Sequence, residues 1–477
     1  MNPLKYITFA ILLLGWGCAT TENATYEYDP SGPPPGHSNH GEAFNKGPRQ
    51  AAYLMGTTSN VSFPITTDSV EAQAFFNQGV GQLHGFWYLE AERSFRQVLK
   101  QHPEHPMAYW GMAMANANNR TRAQPLINKA MEGRDQVSER ERLWIDAMAA
   151  YQKESDSKKR KAARIKAYQA LAEKLPDDLE AQAFHVLALY GDVRAKKNYD
   201  DIEKRIAAIL AKNPNHPCHH YRIHLWDYKD AQRALPSVGL CGQAAPGIAH
   251  MWHMPSHILS RLKRYHDASW QQEASARVDH AHMMRDRVMP DRIHNFAHNN
   301  EWLTRNLSHA GRVNRALAMA KNMIELPRLP NVKDDGTWSF SSRSSHTYGR
   351  RHLYGLLTNY ELWDTVLALK DTQYLRPSSS AADRAKYLRL VAVAQINNGQ
   401  AAQAQPLLTE MESLLTSQRE GKIKAGTEAE TKAKNEKKKP ADIKKAKTNA
   451  ERPFSYAIST LERGLAEAHM YLALQAD

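Results

Sequence analysis

The sequence predicts an all-α fold, an α-solenoid of antiparallel helix pairs, for residues 65–477. Two observations support this prediction. From Ser69 onward the chain consists of long amphipathic stretches with few runs of β-branched residues, a pattern typical of helices. In the first of these stretches, large, small, aromatic and proline residues follow one another at the spacing of two helices that pack closely and then stop.

The residues before this array have a different character. Lys5 precedes an apolar run from Tyr6 to Leu14 that is too short to span a bilayer, which is typical of an export signal. Residues 1–18 resemble a bacterial lipoprotein signal, in which the cysteine, here Cys18, is lipidated. Gly15 departs from that family's pattern, which usually has leucine at this place. Simple cleavage and an uncleaved anchor stay open as alternatives to lipidation.

Three further segments have compositions that do not suit a packed helix pair. Residues 19–64 are rich in Pro, Gly, Ser, Asn and Thr, so we expect a flexible linker there. Residues 331–345 contain Gly, Asp and many Ser, which predicts a long loop on the array. Residues 417–452 are Lys-rich with almost no large apolar residues, which predicts a solvated insertion or an exposed helix.

The first helix pair carries a specific repeat signature. Its members are Phe75, Gly79, Ala91, Phe95, Val98 and Pro103. The small residues let two helices approach closely, Phe95 fills the space between them, and Pro103 stops the second helix. With this signature and its weaker copies downstream, the chain resembles a tetratricopeptide-repeat protein. The resemblance implies a superhelix whose concave groove binds ligands.

The positive charge of the chain does not point to a nucleic-acid partner. The net charge is +13, but residues 419–452 hold twelve Lys/Arg against six Asp/Glu, so +6 of it lies in one Lys-rich segment. The remainder is diffuse, with no basic stripe interleaved with aromatic residues. We therefore expect no nucleic-acid binding.

Histidines concentrate in the middle of the chain. One eight-residue block, 250–257, contains three of them, and the flanking segments add more; the candidates are His250, His253, His257, His220, His224, His294 and His298. The block resembles one in His-rich, exported bacterial tetratricopeptide proteins. Ala268 and Ala316 each open the second helix of a repeat. When positions are counted back from them, the resemblance places the histidines of the block and His298 on first helices, which line the groove.

Helical geometry supports this placement for one segment. At 100° per residue, His294, His298, Glu301 and Arg305 lie within about 60° of one another. Apolar residues cluster on the opposite side, so these polar residues form a stripe that core packing does not explain. Arg261 and Asn299 join Arg305 as candidate groove residues for an anionic or polar ligand.

Pro255 interrupts the block where a repeat would place the middle of a helix. Proline removes a backbone hydrogen bond there but is tolerated in a first turn. We therefore expect this helix to start near Met254, with residues 250–253 in an irregular loop above it.

The histidines allow two kinds of chemistry. Neutral imidazole is a common ligand for zinc and copper, and His220/His224 and His294/His298 are spaced to share an ion on one helix. Glu301 could serve as a ligand or as an orienting group, and nearby methionines such as Met251 and Met254 would favour copper. A polar groove without metal, or histidines bonded to backbone carbonyls, explains the same residues.

Other cofactors and catalytic devices have little support in the sequence. It contains no HExxH or CxxC pattern, no glycine-rich phosphate loop, and no Gly-x-Ser-x-Gly around Ser256. Cys218 and Cys241 could form a disulfide, bind metal or remain buried thiols.

The sequence as a whole predicts an exported, membrane-tethered scaffold without catalytic activity. We expect it in the periplasm or at the outer membrane of a bacterium, attached only through the lipid on Cys18. A protein, a peptide or a small ligand would bind in the His-rich concave groove. The alternative is a copper or zinc protein, or a metal-dependent enzyme, that uses the histidine cluster.

Overall fold

The computed structural model describes residues 51–56, 58–332 and 336–476. The predicted signal, with Cys18, and the predicted linker up to residue 50 lie outside these residues. The first part of the described chain contains α1 (Val70–His84), α2 (Tyr88–Gln101), α3 (Pro106–Ala115), α4 (Arg120–Glu132), α5 (Glu139–Gln152), α6 (Ser157–Lys174), α7 (Leu179–Tyr190), α8 (Val193–Lys196) and α9 (Tyr199–Lys212). The central part contains α10 (Cys218–Trp226), α11 (Leu235–Val238), α12 (Cys241–Ala244), α13 (Ala249–Arg261), α14 (Tyr265–Asp286), α15 (His294–His309) and α16 (Val313–Glu325). The last part contains β1 (Asn331–Val332), β2 (Trp338–Ser339), α17 (Ser345–Asn359), α18 (Trp363–Leu369), α19 (Ala381–Asn397), α20 (Ala401–Asn435) and α21 (Pro440–Ala476).

The helices form an all-α solenoid of paired helices, as the sequence predicts. Most helix contacts join neighbours in the sequence, from α1 with α2 to α20 with α21, which is the arrangement of a repeat array. Strands β1 and β2 pair as a two-residue antiparallel ladder within the segment expected to be a loop. Within the described residues, no helix is both long enough and apolar enough to cross a membrane.

The first helix pair packs in the way its repeat signature predicts. A Cβ atom on Gly79 would lie 2.6 Å from the ring of Phe95, so only glycine lets α1 approach α2 this closely. Gly111 on α3 also meets this ring, since a Cβ atom there would lie 2.5 Å from it. Ala91 and Phe95 are fully buried. Small residues thus set the spacing of the first three helices.

The packed part of the chain begins before the predicted boundary at residue 65. Phe63, which the sequence assigned to the linker, is fully buried. Its ring centroid lies 5.3 Å from that of Phe76 on α1, 5.4 Å from Trp110 on α3 and 5.0 Å from Trp144 on α5. Val61 and Ile65, at alternate positions beside Phe63, are buried in the same core, so this short alternating apolar pattern is the signal that the sequence prediction missed.

The turn between α1 and α2 contacts helices that follow more than one hundred residues later. His84 Nδ1 lies 2.6 Å from the hydroxyl of Tyr221 on α10, and Arg93 pairs with Asp286 on α14 at 3.0 Å. A Cβ atom on Gly85 would lie 2.8 Å from the side chain of Ile248, just before α13. The first helix pair therefore covers the central helices on the side where the sequence led us to expect an open groove.

The Lys-rich segment 417–452 lies in a long helical hairpin made by α20 and α21. A Cβ atom on Gly421 would lie 2.7 Å from the ring of Phe454, so the two helices approach closely here. Arg419 pairs with Glu462 at 2.6 Å across the hairpin, and both side chains are exposed. Between these contacts the segment presents mainly solvated charges, so the hairpin projects as an exposed helical element.

Candidate metal centre

Helix α13 includes the whole histidine block and begins at Ala249, so the predicted start near Met254 is wrong. Pro255 lies in its interior. The neighbouring helix α14 supports this distorted segment: Ser275 Oγ donates to the carbonyl of Ala249 at 2.7 Å, and Gln272 contacts Ser256. Tertiary packing thus outweighs the local cost of an interior proline.

The three histidines of the block share one face of α13. At 100° per residue, His250, His253 and His257 lie within about 60° of one another, so they form a row along the helix axis. This row runs between α10 and α15. His250 lies beside the histidines of α10, whereas His253 and His257 lie beside His298 of α15.

The first cluster, named here the α13–α15 triad, consists of His253, His257 and His298. One ring nitrogen from each lies within 4.8 Å of the other two. His253 Nε2 and His257 Nε2 are 2.8 Å apart. His253 and His257 are 1% and 8% exposed, and the ring of Trp302 stacks on His257 with a centroid distance of 4.0 Å. The triad is therefore a compact set of imidazoles in which two rings are buried and His298, with a side chain 27% exposed, borders the solvent.

Behind each ring of this triad stands a hydrogen-bond acceptor. The three Nδ1 contacts are His253 with Gln272 Oε1 at 3.0 Å, His257 with Asp227 Oδ2 at 3.1 Å and His298 with Glu301 Oε2 at 3.2 Å. Carboxylate and amide oxygens only accept hydrogen bonds, so each Nδ1 carries the proton. The nitrogen left as a lone-pair donor on each ring is Nε2, and those of His253 and His257 face each other.

Two arginines hold the carboxylates in place. Arg261 Nε contacts Asp227, and Arg351 contacts Glu301. Burial would raise the pKa of Glu301, but its hydrogen bonds with His298 and His352 and the charge of Arg351 outweigh burial and lower the pKa to about 2. Burial likewise works against Asp227, and His257 and Arg261 hold its pKa below the usual value. Both carboxylates are therefore ionised at neutral pH.

The rings of His253 and His257 are neutral at this pH. Burial lowers the pKa of His253 well below its ordinary value and also lowers that of His257. Two neutral imidazoles, each with its proton on Nδ1, point their Nε2 lone pairs at each other across 2.8 Å. That arrangement is repulsive until a proton or a cation lies between the two nitrogens.

The second cluster, the α10–α13 triad, consists of His220, His224 and His250. One nitrogen from each again lies within 4.8 Å of the others. His220 Nδ1 donates to the backbone carbonyl of His84 at 2.7 Å. Phe86, which adopts a left-handed backbone conformation with φ of 57°, places its ring 4.5 Å from His220 and 5.4 Å from His224.

A third cluster joins His84, Glu180 and His216, and sequence reasoning missed it. Glu180 accepts hydrogen bonds from His84 Nε2 at 2.5 Å and from His216 Nε2 at 3.2 Å. The backbone N–H of Cys218 donates to His216 Nδ1 at 3.1 Å, so His216 carries its proton on Nε2 and is neutral in this arrangement. Burial lowers the pKa of His84, which therefore stays neutral. No motif links residues so far apart in the sequence.

The other predicted site residues have roles beside the triads or lie elsewhere. Glu301 contacts His298 Nδ1, so it is an orienting group in this arrangement. Asn299 donates to Asp279 Oδ2 at 2.6 Å, and Arg305 lies 5.0 Å from the ring centroid of Trp302. The side chain of His294 falls outside the described part of the structure, so its pairing with His298 stays a prediction.

The sulfur-containing residues do not contribute to the triads as the sequence suggested. Met251 and Met254 pack into the central hydrophobic core, so their expected bias toward copper has no basis in the structure. Cys218 and Cys241 belong to the same core and are buried free thiols. Asp227, in contrast, was not predicted, although it lies three residues after His224, at the end of α10.

Fold and site together define a solenoid of helix pairs with two buried or partly buried three-histidine clusters in its central part. No known family model matches the sequence, and no curated protein matches it. Among solved structures, the chain is similar to the tetratricopeptide-repeat domain of P58(IPK), at 12% identity and a TM-score of 0.23, over 85% of this chain and 99% of that domain.

Proposed function

We propose that this protein binds a transition-metal ion, zinc or copper, at the α13–α15 triad. The observation that carries the proposal is the direction of the three rings. Each Nδ1 donates to an acceptor behind it, and one lone-pair nitrogen of each ring remains on the shared inner side. Metal-bound histidines in proteins usually have this arrangement, because the outer hydrogen bond fixes the tautomer and makes the inner nitrogen a better donor.

The distance between the ring nitrogens suits such an ion. Two ligands of a tetrahedral zinc ion, with bonds of about 2.05 Å, lie about 3.3 Å apart. The 2.8 Å between His253 Nε2 and His257 Nε2 needs only a small ring movement to reach that value. Asp227 and Glu301 are each also paired with an arginine, so their contribution is to orient His257 and His298 from behind.

Three histidines leave one position of a tetrahedral ion open to water or a small ligand. A metal-dependent enzyme therefore stays an alternative. Binding of the ion is the proposal, and it rests on the ligand geometry alone.

Binding of a protein partner by the array is a separate proposal, and the burial of the histidines does not support it. His220 and His253 are 0% and 1% exposed, so a folded partner does not reach them in this conformation. Export and lipid anchoring at Cys18 remain predictions from the sequence, as does a partner in a groove. An exported protein would bind its metal outside the cytoplasm. Labelling of intact cells would test whether the protein is exported.

The metal proposal is tested on protein purified without a histidine tag, stripped with a chelator and titrated with Zn²⁺. We expect one zinc ion per chain in the wild type and loss of that ion in His298→Ala. His266→Ala is the matched control, because His266 is exposed and outside both triads. Absence of tight binding in the wild type, or full binding by His298→Ala, would overturn the proposal.

A further inference from the structure

The α10–α13 triad has the ligand geometry of a site of its own. One nitrogen from each of its three rings lies within 4.8 Å of the other two. The Nε2 atoms of His220 and His224 are buried, and neither has a hydrogen-bond partner in the part of the chain that the structure describes. Since His220 Nδ1 donates to a carbonyl, its Nε2 is a buried lone-pair donor aimed at the other rings. A buried acceptor of this kind costs free energy unless something binds it.

The electrostatic surroundings of this triad differ from those of its neighbour. Among the described residues, no carboxylate forms an ion pair with a ring nitrogen of His220 or His224. The neighbours of these rings are a backbone carbonyl and aromatic rings, including those of Phe86 and Tyr190. At these two rings a positive ion therefore meets no paired carboxylate that would balance its charge.

This difference selects the charge of the ion. The cost of burying an ion in a medium of low polarity rises with the square of its charge, so a monovalent ion costs about a quarter of what a divalent one does. Alkali ions prefer oxygen ligands, whereas imidazole nitrogen suits copper. Copper in its reduced state is the ion that combines one positive charge with this preference.

The neighbouring triad adds to the selection. The rings of His250 and His253 stack 5.7 Å apart at an interplanar angle of 20°, so the two sites lie side by side. Repulsion between two ions scales with the product of their charges. With a divalent ion in the α13–α15 triad, a monovalent ion next to it meets half the repulsion that a second divalent ion would meet.

We propose that the α10–α13 triad is a second metal site, which binds Cu⁺ through one nitrogen from each of His220, His224 and His250. The choice of Cu⁺ rests in part on the proposed function, because the adjacent divalent ion strengthens it. The site itself does not depend on that ion. The ion binds without any change in its oxidation state.

The test uses the full-length zinc-loaded protein, titrated without oxygen with Cu⁺ supplied as its acetonitrile complex against a chromophoric Cu⁺ chelator. We expect uptake of one Cu⁺ per chain with the zinc retained. His224→Ala should lose this uptake and keep its zinc, and His266→Ala should behave as the wild type. X-ray absorption of the copper-loaded wild type should show nitrogen ligands only, a readout that needs no variant.

Each outcome has one meaning. Zinc binding without Cu⁺ uptake, Cu⁺ uptake that His224→Ala leaves unchanged, or sulfur ligation in the absorption spectrum would overturn the second site and leave the zinc proposal intact. If the wild type binds no zinc, the same copper titration is made on the metal-free protein. Uptake lost in His224→Ala then supports the second site while the proposed function fails.

Discussion

The cluster of His84, Glu180 and His216 and the α13–α15 triad are built from the same chemical groups with opposite results. In the first, a carboxylate lies between two rings and accepts a hydrogen bond from each. In the second, the carboxylates lie behind the rings, and the ring nitrogens face one another. The position of the carboxylate relative to the imidazoles decides whether buried histidines complete a hydrogen-bond network or form a ligand set.

The comparison assigns a structural role to one cluster and a binding role to the other. Glu180 connects α1 to α7 and to the segment before α10, so its network holds the N-terminal helices to the central part. In the α13–α15 triad, the ring nitrogens on the inner side do not join helices through hydrogen bonds in this way. Substitutions at the two clusters should therefore affect different measurements.

The largest effect on stability is expected for Glu180→Gln. The substitution keeps the shape of the side chain but removes the charged acceptor of the buried hydrogen bonds from His84 and His216. Hydrogen bonds to a charged group contribute about 1.5–3 kcal/mol each, so we expect a loss of about that size. Urea denaturation of the metal-free protein would measure the loss, and zinc content should stay at the wild-type value.

Glu273→Gln is the matched control for that experiment. Glu273 pairs with Arg315 on the surface, where the loss of an ion pair costs about 0–1 kcal/mol. Equal stability of the two variants, or loss of zinc from Glu180→Gln, would remove the distinction between the clusters.

The next effect, on metal binding, is expected for His253→Ala. A structural zinc site contributes about 10–16 kcal/mol of binding free energy over four ligands, so one ligand is worth about 3 kcal/mol. Zinc affinity should fall by about 100-fold, as measured by competition with a chromophoric chelator. Melting of the metal-free variant separates a loss of ligand from a loss of fold, and unaltered affinity would show that His253 is no ligand.

A smaller effect is expected for Asp227→Asn. The amide still accepts the hydrogen bond from His257 Nδ1 but no longer carries a charge. Loss of such an outer partner typically weakens metal affinity by about 10–100-fold. The same competition assay measures the change, and Glu301→Gln should give a loss of similar size. An unchanged affinity in both variants would mean that the carboxylates do not act on the site.

The smallest effect is expected for Arg419→Ala, in the hairpin of α20 and α21. Its ion pair with Glu462 is exposed on both sides, so the free energy of unfolding should change by about 0.5 kcal/mol or less. Zinc and copper binding should not change. A large loss of stability would show that the Lys-rich hairpin contributes to the core of the array.

The sequence carried enough information for the fold of the first helices and for the identity of most histidines. Gly79, Ala91 and Phe95 predict their own packing, because small and aromatic residues at fixed spacing leave two helices one way to meet. The six histidines of the two triads were all candidates. The high number of histidines on the predicted first helices was sufficient to identify them as candidates.

The grouping of these histidines was not predictable in the same way. Local rules placed the start of α13 near Met254, and only its contacts with α14 extend the helix back to Ala249. That extension places His250 on the same face of α13 as His253. The histidines of the block 250–257 then belong to two different clusters. Partners such as Asp227 and Glu180 come from other helices, and a single sequence contains no periodicity that connects them.

The contact between the first helix pair and the histidines also limits how this array could change its length. A repeat array normally tolerates the duplication or deletion of a repeat, because each repeat contacts only its neighbours. Here the carbonyl of His84 and the ring of Phe86 contact His220, which follows His84 by 136 positions. One added repeat between them would carry α10 away from that turn. The number of helices from α1 to α13 is therefore fixed by the site they enclose.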